Sequence, residues 1–438
     1  MWFLAWPSAI STLIASLYNF INSAFLAHVH NAADTLAASG IGGNALNFQM
    51  ALTFGLSAGT AALVSRFLGE DNVEDAEQAA RQSMVVSVLA GVVTGVPLAL
   101  CARFMVEVIG AKDAVIPLAT SYTAIISLAS VPLFVNVIAT TVLRSQGDVR
   151  SPLYAGGAMI LVNVLLDWLL IFGFWNVPAM GIRGAAIATG ISRVVGTILT
   201  LYYLRRSILG GALSHWRLDM AWLRRILAVG WPASLNNVIW ATSSAAFRHI
   251  LGLLPSGQST AAQAAYTAAL AIENLAFQPG IAYGMAATPL VGQNLGAGKP
   301  DRAERSAWVA TWQAVAIMTL TGATFLLMPH WLAAPFKKDA AVVPIIVAYL
   351  RINSFSEPFL AMNMVLRGAL QGAGDTRAPA LITGASLWLV RIPLAWLLAI
   401  RLEMGAAGAW WAMSLTCCLS GALMALWFKT GAWRNTRV

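Results

Sequence analysis

The chain has 438 residues, of which 58% are hydrophobic and only 10% charged, with a net charge of +9 and a mean hydropathy of +0.71. A soluble domain carries about 25% charged residues, so this composition excludes an ordinary water-soluble protein and makes the bilayer the chain's solvent. The basic residues are dispersed over short loops, which excludes a nucleic-acid-binding face, and three cysteines (Cys101, Cys417, Cys418) supply neither a disulfide framework nor a four-ligand metal spacing.

A membrane-spanning helix needs about 20 apolar residues. Charged and Gly/Pro-rich stretches divide the chain into twelve predicted spans: 2–27, 39–63, 83–103, 117–143, 153–174, 183–204, 228–252, 261–291, 307–328, 343–366, 379–400 and 406–428. The first is read as a span because it lacks a leading basic cluster and is longer than a signal-peptide core. Six spans fall in each half, giving an N-lobe at 1–206, a linker at 207–226 and a C-lobe at 227–438.

The halves repeat each other. Val142 to Pro152 returns as Ala369 to Pro379, so that Gly147, Asp148, Arg150 and Pro152 fall on Gly374, Asp375, Arg377 and Pro379, an offset of 227. The same offset lays Val64 to Gly69 on Val291 to Gly296, and an offset of 225 lays Trp6-Pro7 on Trp231-Pro232. Because six is even, the second half enters the membrane from the same side as the first, and the repeats are predicted to be parallel, an arrangement of secondary transporters. Seventeen of the 27 basic residues lie on one side of this topology and six on the other. The positive-inside rule therefore places both termini, the linker and the two Gly-Asp-x-Arg-x-Pro loops in the cytoplasm. Trp2, Trp175, Trp216, Trp331, Trp427 and Trp433 sit near span ends, where interfacial anchors are expected.

Ionisable groups deep in a bilayer are costly and are functional candidates by default. Six lie well inside the predicted spans: Asp167, Arg193, Glu273, Arg351, Glu357 and Arg391. A carboxylate at a cavity wall takes either a proton or a cationic solute, and that exclusivity is the physical basis of antiport. Glu273 stands about twelve residues into its span, with Asn274 and Gln278 beside it. The alternative for Glu273 is a structural salt bridge to Arg391 or Arg351. Glu357 precedes Pro358, whose ring frees a backbone carbonyl near residue 354 that can join the carboxylate around a cation. Asn236, Asn274 and Gln278 are predicted polar contacts, because an unpaired amide in lipid is unfavourable. Phe20, Trp240, Phe277, Tyr283, Met285, Met362 and Met364 are candidates for an adaptable apolar lining.

Two motifs resemble enzyme signatures. Gly55-Leu-Ser-Ala-Gly59 has the Gly-x-Ser-x-Gly spacing of serine hydrolases, but Ser57 needs a base, and small residues four apart also permit close helix contact. Gly292 to Pro300 lacks both the first glycine and the Ser/Thr of a phosphate loop. The Gly-Asp-x-Arg loops are read as Asp-capped turns ahead of Pro152 and Pro379 rather than as an interlobe latch.

Pro7 with Leu17 to Phe20, Leu36 to Gly40, Arg144 to Pro152, Asn163 to Asp167, Gly181 to Thr189, Gly230-Trp-Pro232, Ala282 to Gly298, Leu370 to Pro379 and Arg391 to Leu394 occur in an order that resembles the multidrug and toxic compound extrusion (MATE) family. The resemblance covers the whole chain and is nearest the bacterial branch of DNA-damage-inducible (DinF-like) exporters. It implies an all-α membrane protein of twelve transmembrane helices, in two parallel six-helix repeats forming a V-shaped fold around a central cavity. It also implies export of amphipathic, mostly cationic compounds from a bacterial inner membrane, driven by protons or sodium without a cofactor. In that branch the first helix carries an aspartate where Asn22 stands here, while its companions Asn163 and Asp167 are present. The sodium-coupled branch carries a glutamate where Trp240 stands here, which favours protons as the coupling ion. Sodium at Glu273 and Glu357 is the second choice, and no resident metal is expected.

The expected function is thus a cation-coupled multidrug antiporter acting as a monomer on small organic cations and drugs. The alternatives are a lipid-linked saccharide flippase of the same superfamily and, more remotely, an intramembrane hydrolase using Ser57.

Overall fold

The computed structural model describes residues 32–436 except 112–113, 175–177, 215, 256 and 337–341, and before residue 32 it describes Pro7, Ile10, Ile21, Asn22, Phe25, Leu26 and His28. The predicted span 2–27 therefore lies largely outside the described residues, as do Phe20, Trp2 and Trp175. The described residues form helices joined by short turns, with no extended strand among them. This is the expected answer to a solvent that offers the backbone no hydrogen bonds. The chain divides into two compact units, Ile10–Gly230 and Trp231–Val438, with Pro7 also belonging to the second.

In the first unit the helices are α1 (Ala32–Gly69), α2 (Val73–Leu100), α3 (Val115–Leu128), α4 (Ser130–Ser145), α5 (Arg150–Phe172) and α6 (Ile182–Arg205), followed by the start of α7 (Met220–Gly252). In the second, the remainder of α7 is followed by α8 (Gln258–Ala276), α9 (Gln278–Gly296), α10 (Pro300–Leu327), α11 (Val342–Asn353), α12 (Glu357–Gly372), α13 (Arg377–Arg401) and α14 (Gly405–Thr430). Seven of these are long and apolar enough to cross a membrane, or eight if α3 and α4, bent by 46°, count as one span.

The predicted spans 261–291 and 343–366 are each divided in two. Pro279 and Pro358 lack an N–H and occupy the first turn of α9 and α12, where a missing donor costs little. The preceding helix ends there instead of continuing. Between α11 and α12 a 3-10 turn, Ser354–Ser356, makes the break, and polar side chains recover carbonyls around it. The Asn353 amide donates to Tyr349 O (3.1 Å), the hydroxyls of Ser354 and Ser356 donate to Arg351 O (2.6 Å) and Asn353 O (2.8 Å), and that of Ser414 donates to Ile352 O (3.0 Å).

Small residues set the packing. In the first unit, a Cβ at Gly59 would lie 3.1 Å from the Ile226 carbonyl carbon, and one at Gly230 would lie 2.7 Å from Gly55 O. The Gly55/Gly59 spacing is thus a contact between α1 and the start of α7, which is why α7 begins ahead of the predicted 228 with its first turns laid on α1. In the second unit, α9 and α12 approach through Gly284, Gly368 and Gly372, and the Thr288 hydroxyl donates to Gly368 O (2.9 Å). At the chain's end Trp433 is fully buried rather than interfacial. Its ring stacks on Phe428 at 4.6 Å, its Nε1 donates to Phe428 O (2.7 Å), and Arg434 pairs with Asp301 (3.1 Å) and Glu304.

The offset of 227 recurs in the backbone. After α1, Asp71 adopts φ 55° and Asn72 N–H reaches Phe67 O; after α9, Gly298 adopts φ 67° and Lys299 N–H reaches Asn294 O. After α4 and α12, Gly147 and Gly374 adopt φ 87° and 85°, and the N–H groups of Asp148 and Asp375 reach Leu143 O and Leu370 O. All four are Schellman-type closures that recover helix-end carbonyls. Asp148 Oδ1 accepts from Arg150 N and Ser151 N (both 3.0 Å), and Asp375 Oδ1 accepts from Ala378 N (3.2 Å). The two loops are capped turns, as their sequence indicates.

Candidate functional site

Each unit holds buried polar groups gathered around a carboxylate. In the first unit α5 presents Asn163 and Asp167 one turn apart, with side-chain exposures small enough that both are buried; Asp167 is 0% exposed. Among the described residues, neither oxygen of Asp167 and neither polar atom of the Asn163 amide has a hydrogen-bond partner. Tyr122 of α3 lies within electrostatic reach of both Asp167 and Arg193. Leu26 packs with Ile171, and Asn22 and Asp167 each stand one turn earlier in the chain; Asn22 Oδ1 is likewise buried without a partner among the described residues.

In the second unit, Glu273 of α8 is 2% exposed and its carboxylate accepts a hydrogen bond from the hydroxyl of Tyr349 on α11. An aromatic wall surrounds this pair: Tyr349 meets Trp410 edge-on at 5.0 Å, and Tyr266 stacks on Trp410 at 5.7 Å. Glu357, at the first turn of α12, is 0% exposed; both of its oxygens, together with Asn353 Oδ1 one turn before, have no partner among the described residues. Glu357 is within electrostatic reach of Glu273. The break between α11 and α12 thus gathers three orphaned acceptor oxygens in a water-poor interior, where each unsatisfied polar group is expensive.

The expected salt bridge of Glu273 with Arg391 or Arg351 is not among the ion pairs of the described residues. Arg351 is exposed. Arg391 is within electrostatic reach of Glu273, yet its Nε donates to Thr416 Oγ1 (2.9 Å) and its Nη2 to Cys417 Sγ (3.3 Å). Arg391 lies in a π-helical stretch of α13, Ala385–Arg391, a local widening often found at functional sites.

The other predicted residues divide. Asn274 faces outward on α8 while Glu273 faces inward, because neighbours on a helix point about 100° apart, and Gln278 Nε2 donates to Asn274 O (3.2 Å). Asn236 belongs to a different network, donating to Thr383 Oγ1 (3.0 Å) and Pro379 O (3.3 Å) and accepting from Arg367 (3.3 Å). Tyr283 is a core residue and Met364 packs over Gly280, whereas Trp240 is exposed. Tyr349 escaped the sequence reading. Its signal was there: Tyr349, Asn353 and Glu357 recur every fourth residue through a predicted apolar span.

Ser57 has no base. Its hydroxyl pairs with Thr141 Oγ1 at 2.8 Å, and the described histidines, His28, His249 and His330, are exposed. The offset of 227 takes Ser57 to Gly284 and Thr141 to Gly368, so this hydroxyl pair occupies in the first unit the place of the α9–α12 backbone contact in the second. Ser57→Ala is expected to change transport rate by no more than about fivefold, since a net hydrogen bond contributes only about 1 kcal/mol; a loss beyond tenfold in a vesicle assay would restore a chemical role. No group of three or more His, Cys, Asp or Glu able to hold a metal occurs among the described residues.

The MatE family model matches residues 7–169 and 232–397, stretches that start 225 residues apart, as the repeated Trp-Pro pair does. The chain is 27% identical over 443 residues to a probable multidrug resistance protein NorM of Thermotoga maritima, covering 99% of this chain and 93% of that protein. It is 27% identical over 429 residues to the multidrug resistance protein NorM of Burkholderia vietnamiensis, covering 96% and 91%. Among solved structures, an outward-facing multidrug resistance MATE family transporter of the MOP superfamily shares its fold with a TM-score of 0.91 at 22% identity, over 99% of this chain and 96% of the other. A MOP superfamily transporter from Pyrococcus furiosus does so with the same score, identity and coverage.

Proposed function

This chain belongs to the MatE family, and we propose that it is a multi-pass membrane exporter that exchanges an inward coupling cation for outward amphipathic organic cations, in multidrug efflux. The observation that carries the reading is the set of buried carboxylates Asp167, Glu273 and Glu357, none of them in an ion pair among the described residues and two of them without any hydrogen bond. A carboxylate in hydrocarbon is tolerated only with a proton or a cation to balance it. Such groups therefore load and unload a cation as the protein changes state. The names of the NorM relatives support the efflux reading.

Protons are the proposed coupling ion, with sodium at Glu273, Glu357 and Asn353 as the competitor. Asn22 cannot ionise, so Asp167 is the sole carboxylate of the first cluster, and the primary coupling site is assigned to Glu273 and Glu357. Tyr349, bonded to Glu273, orients that carboxyl group. Drugs and organic cations are the substrates, no resident cofactor takes part, and the working form is a monomer of the DinF-like branch. Twelve spans in two parallel repeats, with both termini in the cytoplasm of a bacterial inner membrane, complete the proposal, and the lobes divide at a linker over 207–226.

Ion flux in everted membrane vesicles tests this. With an imposed proton gradient, addition of ethidium is expected to discharge the gradient in sodium-free buffer. Discharge only when sodium is present would transfer the coupling role to sodium, and no discharge with any organic cation would overturn the export reading.

A further inference from the structure

The segment between α6 and α7, together with the helix ends that flank it, carries a feature that cation exchange does not use. Arg205, Arg206, Arg217, Arg224 and Arg225 are all exposed, and Ile208, Trp216, Leu218 and Met220 are exposed among them. The described backbone between the two helices is tied to α2. Leu209 and Ala212 are buried, Gly211 lies against Glu77 of α2, and Gln82 of α2 holds the chain at two points, donating to Arg217 O (2.7 Å) and accepting from Asp219 N (2.9 Å). A cavity of about 650 Å³ opens here, lined by Gln78, Arg81 and Gln82 on one side and by 217–220 on the other.

Two carboxylates stand near, and Asp219 lines the cavity itself. Glu77 pairs with Arg81 (2.8 Å), and Asp219 Oδ1 accepts from Ala221 N (2.8 Å) at the start of α7. None of the five arginines is in an ion pair among the described residues. Two of them are braced by aromatic rings: the Arg206 guanidinium lies 4.4 Å from the centre of the Tyr202 ring and that of Arg225 lies 5.2 Å from that of Trp222. Cationic side chains, two of them beside aromatic rings, interleaved with exposed apolar ones match a surface that is anionic at its headgroups and apolar beneath.

We propose that this segment and the cavity beside it bind the headgroup of an anionic phospholipid of the cytoplasmic leaflet, with its acyl chains over Leu218 and Met220. The proposal rests on the cytoplasmic placement of the segment given above. Lipid retention is read without transport, so its failure and that of the export reading are separate results.

The test is native mass spectrometry of the purified full-length protein titrated with phosphatidylglycerol or phosphatidylcholine. Phosphatidylglycerol is expected to be retained in preference. The triple variant Arg217→Gln/Arg224→Gln/Arg225→Gln is expected to weaken its binding on the order of a hundredfold, with phosphatidylcholine unaffected. Removal of three charges from the other side, Arg103→Gln/Arg183→Gln/Arg401→Gln, leaves phosphatidylglycerol binding as it was. Equal retention of the two lipids, parental affinity in the first variant, or equal loss in both variants overturns the proposal. Displacement of phosphatidylglycerol by inorganic phosphate would make this a soluble-anion site and overturn the lipid assignment.

Discussion

Glu273→Gln and Glu357→Gln are each expected to slow ethidium-driven proton release by between about 5-fold and 150-fold, the range of coupling free energies of about 1–3 kcal/mol. The amide keeps the size of the carboxyl group but can neither release a proton nor balance a cation. Ethidium should still bind to the purified variants, while the competition between protons and ethidium should flatten, because a ligand shifts an equilibrium only by its differential affinity for the two states. The pairing with Tyr349 and the reach to Glu357 make the two positions interdependent. The double variant should consequently lose less than the product of the single losses. A purely structural carboxylate would show the reverse pattern, with a lowered unfolding temperature and an unchanged pH dependence of binding. Full coupled transport in both single variants would remove Glu273 and Glu357 from the mechanism and leave Asp167 as the remaining candidate.

The second large effect is on stability. Gly372→Ala is expected to destabilise the protein by about 3 kcal/mol or more, at the upper end of overpacking costs. A methyl group there would stand 2.8 Å from the Thr288 carbonyl carbon and 3.0 Å from its Cα. Those are backbone atoms of α9, and a flexible side chain is not available to move aside. Relief requires separating α9 from α12, which also stretches the Thr288 hydroxyl bond to Gly368 O. Gly156→Ala in α5 is the control, since its added methyl group meets nothing within 4 Å and alanine is the better helix former by roughly 0.5–1 kcal/mol. Thermal unfolding in detergent should show a marked fall for Gly372→Ala and none for Gly156→Ala. Equal shifts in the two variants would mean that the α9–α12 contact is looser than its geometry indicates.

The sequence by itself determined the solvent of this protein, its helical class and its internal duplication. These properties are carried by composition and by local backbone chemistry: apolar runs of span length, and glycines or an Asp placed where positive φ closes a helix, as at Gly147, Gly374, Gly298 and Asp71. It also singled out Asp167, Glu273 and Glu357, because a carboxylate placed deep in an apolar run is costly and its depth can be read along the chain. Side-chain partners were decided by the tertiary structure. Glu273 takes a hydroxyl from Tyr349, 76 residues away, while Arg391 turns to Thr416 and Cys417 and Arg351 turns outward. Asn274 departs from Glu273 for the opposite reason, since adjacency in sequence separates side chains around a helix. Ser57 carries a hydrolase spacing that only its neighbour Thr141 and the matching Gly284–Gly368 contact explain. Trp433 reads as an interfacial anchor from its position near the chain's end, yet it is buried because the chain turns back over Phe428 after Gly431. Periodicity and composition record how far each residue lies along a helix; which groups meet across helices follows from close packing, and that requires the three-dimensional approach of segments distant in the chain.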